Sequence, residues 1–285
     1  MKRRRMFNLL WIFIAILSCQ NPQFEDEDGE TRLRFVPSTS DLTRGTVSIG
    51  DYFSRLAVQL FDQDGNKVFS QSKTQTRNDD DFGTLNVGLT AGTYTVVAVG
   101  HSSPVTPTIK STELVQFTAK DGVKNSDTFC HYGQVTVNED GGYHELKMNR
   151  LTAMVMLSFT DETMPDNFAG LKVEYMGGSA NFNPSTSEGC TKSSQSETRL
   201  NRATQYHVFT FPYLSTEGVL KVTLSALDAN QDVLTTKVLT DVPITRNRIT
   251  KCTGQLFGEG EFDINQTTFG ISVNDDWDGE IEYHF

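Results

Sequence analysis

The sequence predicts an all-β protein built as two β-sandwich domains, and three observations carry that reading. Apolar residues recur at every second position in short runs, and turn residues separate those runs. No stretch of helical length keeps a 3.6-residue apolar period. The composition agrees, because 19 Phe and 22 Gly stand beside only 8 Pro, among many Thr and Val, a mixture that suits strands and turns. At about 100 to 200 residues per domain, the 285 residues accommodate two domains of near-equal size or one large one.

The front of the chain is a separate element. Lys2, Arg3, Arg4 and Arg5 precede an unbroken apolar run from Leu9 to Leu17, then Ser18 and Cys19. A basic start followed by a short apolar run reads as an export signal. As a helix rising about 1.5 Å per residue, the run reaches roughly 14 Å, well short of the about 30 Å of a bilayer core. Ile16, Leu17, Ser18 and Cys19 resemble a bacterial lipobox, which implies a diacylglyceryl group on the Cys19 thiol and cleavage just before it. Residues 1–18 are thus expected to be removed. The whole chain carries 25 Lys and Arg against 36 Asp and Glu, net −11; without the four leading cations it holds 21 positive and 36 negative side chains, net −15. No Lys/Arg cluster lies beyond the first five residues, so nucleic acid is not expected as a partner, since phosphate contacts need concentrated positive charge.

Residues 19–30 form the next element. Glu25, Asp26, Glu27, Asp28 and Glu30 crowd together with little to bury, so the segment reads as a solvated tether. Acidic residues close behind the lipid-bearing Cys resemble the surface-export signals of Bacteroides-type lipoproteins. The resemblance implies an outer-membrane, surface-exposed protein held by its lipid anchor.

The first domain is expected over residues 31–143. Leu56, Val58 and Leu60 share one face of a strand that turns through Asp62, Gln63, Asp64, Gly65 and Asn66 into Lys67 to Ser70. Leu85, Val87 and Leu89 precede a second turn. Tyr94, Val96 and Ala98 then alternate with Thr95, Val97 and Val99, so both faces of that strand are apolar enough for a central position. Further strands are expected around Glu113 to Thr118 and Gly133 to Val137, with a turn at Gly141 and Gly142.

The second domain is expected over residues 144–285. Leu151, Ala153, Val155, Leu157 and Phe159 share a face of a long strand. Val208 to Phe211, Leu220 to Leu227 and Val233 to Leu239 follow as strands, the last two joined through Asp228. That turn echoes the one at Asp62, which suggests that the halves are copies of one unit. Residues 183–199 are polar and are expected as a long surface loop, with at most a short helix near Asp161 to Phe168.

Catalytic and metal chemistry find little footing. Asp62 and Asp64 lack the further oxygen ligands and closing Glu of a calcium loop, and they read as a hairpin turn. Asp79, Asp80 and Asp81 read as a solvated acidic loop. The five histidines are scattered, whereas zinc ligands arrive in groups. A GxSxG elbow, a GxGxxG fingerprint and a GxxxxGK loop are all missing from the sequence. No metal, no cofactor and no enzymatic activity are expected. Cys130, Cys190 and Cys252 have no CxxC spacing and allow at most one disulfide, so they are expected as core or surface thiols.

Three blocks together resemble a known family. The first runs from Tyr52 to Gly100 and includes Arg55 to Gly65 and Leu89 to Ala98. The second is Asn149, Arg150, Leu151, Thr152, Ala153, Met154 and Val155. The third runs from Val242 to Thr250, with Gly254, Gln255, Leu256 and Phe257, and ends with Asn274, Asp275, Asp276 and Trp277. In this order, and behind a lipobox, they resemble the fimbrial subunits of Bacteroides-like bacteria, the fimbrillins and anchor lipoproteins of type V pili. The resemblance implies two tandem transthyretin-like β-sandwich domains and polymerisation by strand exchange. An arginine-specific protease would cut after the first strand, and a neighbour's strand would fill the vacated groove. Leu33 and Phe35, with Pro37, are the candidate displaced strand, and Arg44, ahead of Gly45, is the candidate cleavage point. Phe269, Ile271 and Val273, with Ile281, Tyr283 and Phe285 after Gly279, are the candidate donor; the alternative is a hairpin packed on their own domain. An anchor subunit would instead keep Cys19 and its first strand. The implied partners are other fimbrial subunits, the outer membrane through the lipid, and host or bacterial surface ligands. A different function remains open, a surface glycan-binding lipoprotein with Trp277, Tyr206 and Tyr213 as a stacking platform.

Overall fold

The computed structural model describes residues 30–38, 48–118 and 125–266. Apart from one 3-10 turn at Ile49–Asp51, the regular structure among these residues is strand. In chain order the first nine strands are β1 Glu30–Pro37, β2 Arg55–Phe61, β3 Lys73–Thr76, β4 Thr84–Gly88, β5 Gly92–His101, β6 Thr108–Ser111, β7 Leu114–Gln116, β8 Thr128–Val137 and β9 Gly142–Arg150. The remainder are β10 Ala153–Phe159, β11 Gly170–Met176, β12 Gly178–Ser179, β13 Asn181–Asn183, β14 Glu188–Gly189, β15 Gln195–Arg199, β16 Gln205–Pro212, β17 Glu217–Leu227, β18 Val233–Thr245, β19 Ile249–Gly254 and β20 Asp263–Gln266.

Two sandwiches result, each from two facing layers. In the first, β3-β2-β5-β8 faces β9-β1-β4, and β8 and β9 touch as a pair only at Phe129↔Arg150 and Cys130↔Asn149. Leu56, Val58 and Leu60 from β2 meet Val96 and Ala98 from β5, with Leu33, Phe35, Leu146 and Met148 from the opposite layer. The second sandwich sets β15-β11-β17-β18 against β16-β10-β19-β20. Val155 and Leu157 of β10 pack there on Leu171, Val173, Val222 and Leu224.

The sandwiches share one topology. In each, the first strand runs parallel to a late strand (β1 with β9, β10 with β19) and antiparallel to a middle strand (β4, β16), and the second sandwich adds β20 beside β19. The opposing four-stranded layers also correspond in order. The Asp62 and Asp228 turns do prove to be the same device. Each carboxylate Oδ1 accepts from the backbone N–H two and four residues on, at 3.0 and 2.8 Å for Asp62 and 2.8 and 2.9 Å for Asp228. They occupy non-equivalent connections, however: Asp62 joins β2 to β3, whereas Asp228 joins β17 to β18, the counterparts of β5 and β8. The duplication is therefore carried by topology, and the echo is a local solution used twice.

Two other expectations change. The apolar alternation resuming after residue 143 belongs to β9, which pairs with β1, so the chain crosses to the second sandwich at Leu151 and Thr152, and not at 143/144. A closing strand and an opening strand have the same period of two, which is why the pattern misplaced the border. Residues 183–199 are not one loop; they run from the end of β13 through β14, its hairpin partner, to β15, which pairs with β11. Gln195 and Glu197 are the inward residues of β15, and buried polar side chains leave no mark in a hydrophobic pattern. Residues 161–168, where at most a short helix was expected, form bends and a turn, and the Asp161 carboxylate accepts from Leu256 N–H and Phe257 N–H at 2.7 and 2.8 Å.

A candidate strand-exchange site

The site is the slot occupied by β1. This strand lies inside its layer with a neighbour on each side: parallel to β9 from Thr31↔Gly142 to Pro37↔Met148, antiparallel to β4 from Glu30↔Gly88 to Arg34↔Thr84. Beyond these registers, Phe35 N–H donates to Gly83 O and Ser38 N–H to Met148 O, both at 2.8 Å. Alternation aims Thr31, Leu33, Phe35 and Pro37 inward. Leu33 and Phe35 are 0% and 2% exposed, and at roughly 1.5 to 3 kcal/mol per fully buried large apolar side chain the pair stabilises the first sandwich appreciably. Arg34 faces solvent, and Arg32 Nε donates to Asn86 Oδ1 at 3.0 Å.

The start of the slot depends on a glycine. Gly141 has φ +79°, and a Cβ there would sit 2.2 Å from Glu30 O, so the β8–β9 turn can pass the head of β1 only without a side chain. The candidate strand residues Leu33 and Phe35 are thus placed together in one core. Cys19, Arg44 and the candidate donor residues Phe269, Ile271, Val273, Ile281, Tyr283 and Phe285 lie outside the described residues.

Taken away, β1 would leave the edges of β4 and β9 without partners and a gap in the apolar core. Such a slot selects an extended segment with apolar residues at alternate positions. Among the described residues, no group of three or more His, Cys, Asp or Glu is arranged to hold a metal ion. Hydrogen bonds from Asn66, foremost its backbone N–H, hold Asp62 below the ordinary carboxylate range. Asp79 Oδ2 accepts from Thr76 N–H at 2.6 Å. Both acidic clusters are turn formers.

The glycan platform is not assembled as the sequence suggested. Tyr206 is buried, its ring 5.8 Å from that of Phe159 and its hydroxyl donating to Asn201 O. Tyr213 is half-buried and Trp277 lies outside the described residues. Cys130, Cys190 and Cys252 are free thiols; burial raises all three, Cys252 to about 12.

Sequence reasoning missed a polar cluster inside the second sandwich. The Tyr175 hydroxyl donates to Glu197 Oε1, and Arg199 Nη2 to Glu197 Oε2, both at 2.8 Å. Burial pushes Glu197 up against the opposing pull of Arg199. Gln195 Nε2 donates to Thr210 Oγ1 at 3.0 Å, and Asn125 Nδ2 to Gln195 Oε1 at 2.9 Å. The only available signal was a Gln and a Glu two apart in a polar stretch, which is no signal without the register.

A family model described as a family of unknown function, DUF6562, matches residues 24–285. The chain belongs to this family. No curated protein matches this DUF6562 chain. Solved structures similar to it include a fimbrial assembly protein from Parabacteroides distasonis, 15% identical over 84% of this chain and 94% of that one, with a TM-score of 0.46. The fimbrial anchor protein Mfa2 from Porphyromonas gingivalis is 12% identical over 83% and 95%, with a TM-score of 0.43. A candidate adhesin from Bacteroides thetaiotaomicron is 12% identical over 91% and 100%, with a TM-score of 0.48.

Proposed function

We propose that this DUF6562 protein is a structural subunit or outer-membrane anchor of adhesive fimbriae, assembling with other fimbrial subunits by exchange of a β-strand. The observation that carries the reading is the position of β1. It is an internal strand of a finished sandwich, yet it is the first of the described elements, and in the sequence Arg44 lies between it and the next one, the Ile49–Asp51 turn. Among the described residues, a cut after Arg44 would separate β1 and no other strand from the body. The lipobox at Cys19, the acidic tether and the order of the three sequence blocks support the same reading and the surface location.

The two forms of the role differ in processing. An anchor keeps lipid on Cys19 and keeps β1; a shaft subunit begins at Gly45 and receives Phe269, Ile271 and Val273, or Ile281, Tyr283 and Phe285, from a neighbour. Mass spectrometry of the mature N-terminus from native membranes distinguishes them: acylated Cys19 for the anchor, a free amine at Gly45 for the shaft. A deletion strain whose fimbriae are unchanged in number, length and attachment would overturn both forms.

A further inference from the structure

We infer that the two sandwiches are clasped into one cooperative body by a polar hub at the β9–β10 crossing, and do not act as two beads on a hinge. The inference concerns the chain alone and does not depend on the fimbrial reading. The crossing is only Leu151 and Thr152, and polar groups of both sandwiches converge on it. The Arg150 side chain, 7% exposed, ends β9. Its Nε lies 3.0 Å from both Asp127 carboxylate oxygens, and its Nη1 donates at 3.2 Å to Asn247 Oδ1, on the β18–β19 turn of the second sandwich. Its Cζ lies 4.6 Å from the Phe129 ring centroid.

Asp127 closes the circuit. Thr152 Oγ1 donates to Asp127 Oδ1 at 2.9 Å, and Asn247 N–H donates to Thr152 O at 2.8 Å. Asn247 has φ +59°, so its side chain is aimed at Arg150 from a backbone conformation that Asn tolerates better than most residues. Two residues before Asp127, Asn125 is 1% exposed and donates to Gln195 Oε1 and to Phe209 O, at 2.9 and 3.4 Å. The segment entering β8 of the first sandwich thus ends inside the polar cluster of the second.

Apolar contacts join the same parts. The β6–β7 hairpin of the first sandwich and the β13–β14 hairpin of the second form one four-stranded sheet, through Asn181↔Gln116 and Phe182↔Val115. Beneath it a single cluster takes Ala57, Val99 and Ile109 from one sandwich with Phe182 and Phe211 from the other, the last two rings 4.9 Å apart. Domains move relative to one another by default when their contact is small and polar. Here the contact contains a shared sheet, a shared core and polar bonds from Asn125 and from the half-buried Arg150–Asp127 pair to the second sandwich, so opening one sandwich exposes surface of the other.

The test uses the full chain, with calorimetry and hydrogen exchange of the central strands β5 and β17. Wild type should unfold in one transition whose calorimetric and van't Hoff enthalpies agree, with equal opening free energies in β5 and β17. Asn125→Ala combined with Arg150→Met should divide the transition, so that the two strands exchange at different rates. Asn247→Gly keeps a backbone at ease with φ +59° and removes only the acceptor; it should make the strands diverge by less, and it serves if the double variant does not fold. Two transitions in wild type would overturn the clasp. So would undiminished coupling of β5 and β17 in a folded double variant or, where that variant does not fold, in Asn247→Gly.

Discussion

The Glu197 carboxylate accepts a hydrogen bond from the Tyr175 hydroxyl at 2.8 Å, with Glu197 itself 1% exposed. Burial raises its folded-state pKa above the ordinary 4.5, with Arg199 opposing. The folded protein therefore holds this proton more tightly than the unfolded chain. The resulting stability is fully present below about 4.5 and is lost as pH rises through the folded pKa. Glu197→Gln cannot ionise, so the variant should gain on wild type as pH rises towards neutrality. Thermal melts of both proteins across that range check this; a constant gap would show that Glu197 does not titrate differently in the two states.

Removing apolar bulk from β1 should be costly, and changing its outward face should not. Phe35→Ala is expected to destabilise by about 3–5 kcal/mol, the usual range for a buried Phe. Arg34→Ala, on the solvent side of the same strand, should stay within about 0.5 kcal/mol. Denaturant unfolding of the full chain measures both. Equal effects would mean that β1 is not seated as described.

Gly141→Ala should loosen the head of β1. The added methyl meets Glu30 O at 2.2 Å and the backbone must hold φ +79°, so a loss above about 1 kcal/mol is expected. Faster amide exchange should appear at Thr31 and Leu33 before it appears in β5. Unchanged exchange there would show that the turn can shift without disturbing the strand.

The thiols should react unequally. Cys130 and Cys252 are buried and Cys190 is half-buried, so a disulfide-exchange reagent should label Cys190 in the native protein and reach the other two only after unfolding. Rapid native labelling of Cys252 would contradict its 0% exposure.

The legible parts of the fold were those written in apolar alternation. Leu56, Val58 and Leu60 on one face of β2, and the two apolar faces of β5, lie where the pattern placed them. Leu33 and Phe35 were equally readable, because two large apolar residues two apart in a polar segment need an interior. The pattern failed where the interior is polar, as at Gln195 and Glu197, and where the question was partnership and not burial. Period two cannot say that β9 closes the first sandwich, because that depends on its pairing with β1. The hub of Asp127, Arg150, Thr152 and Asn247 draws on three separate parts of the chain, and no spacing rule connects them.

The parallel pairing of β1 with β9 sets an order of events for a chain that is synthesised from its N-terminus. Thr31 emerges early, but its partner Gly142 follows more than a hundred residues later, and the intervening loop must close before the pair can form. Until then Leu33 and Phe35 have no interior to enter. A strand with so long a wait is exposed to any carrier that recognises extended apolar segments, and the first sandwich can be completed only after nearly all of it has been delivered.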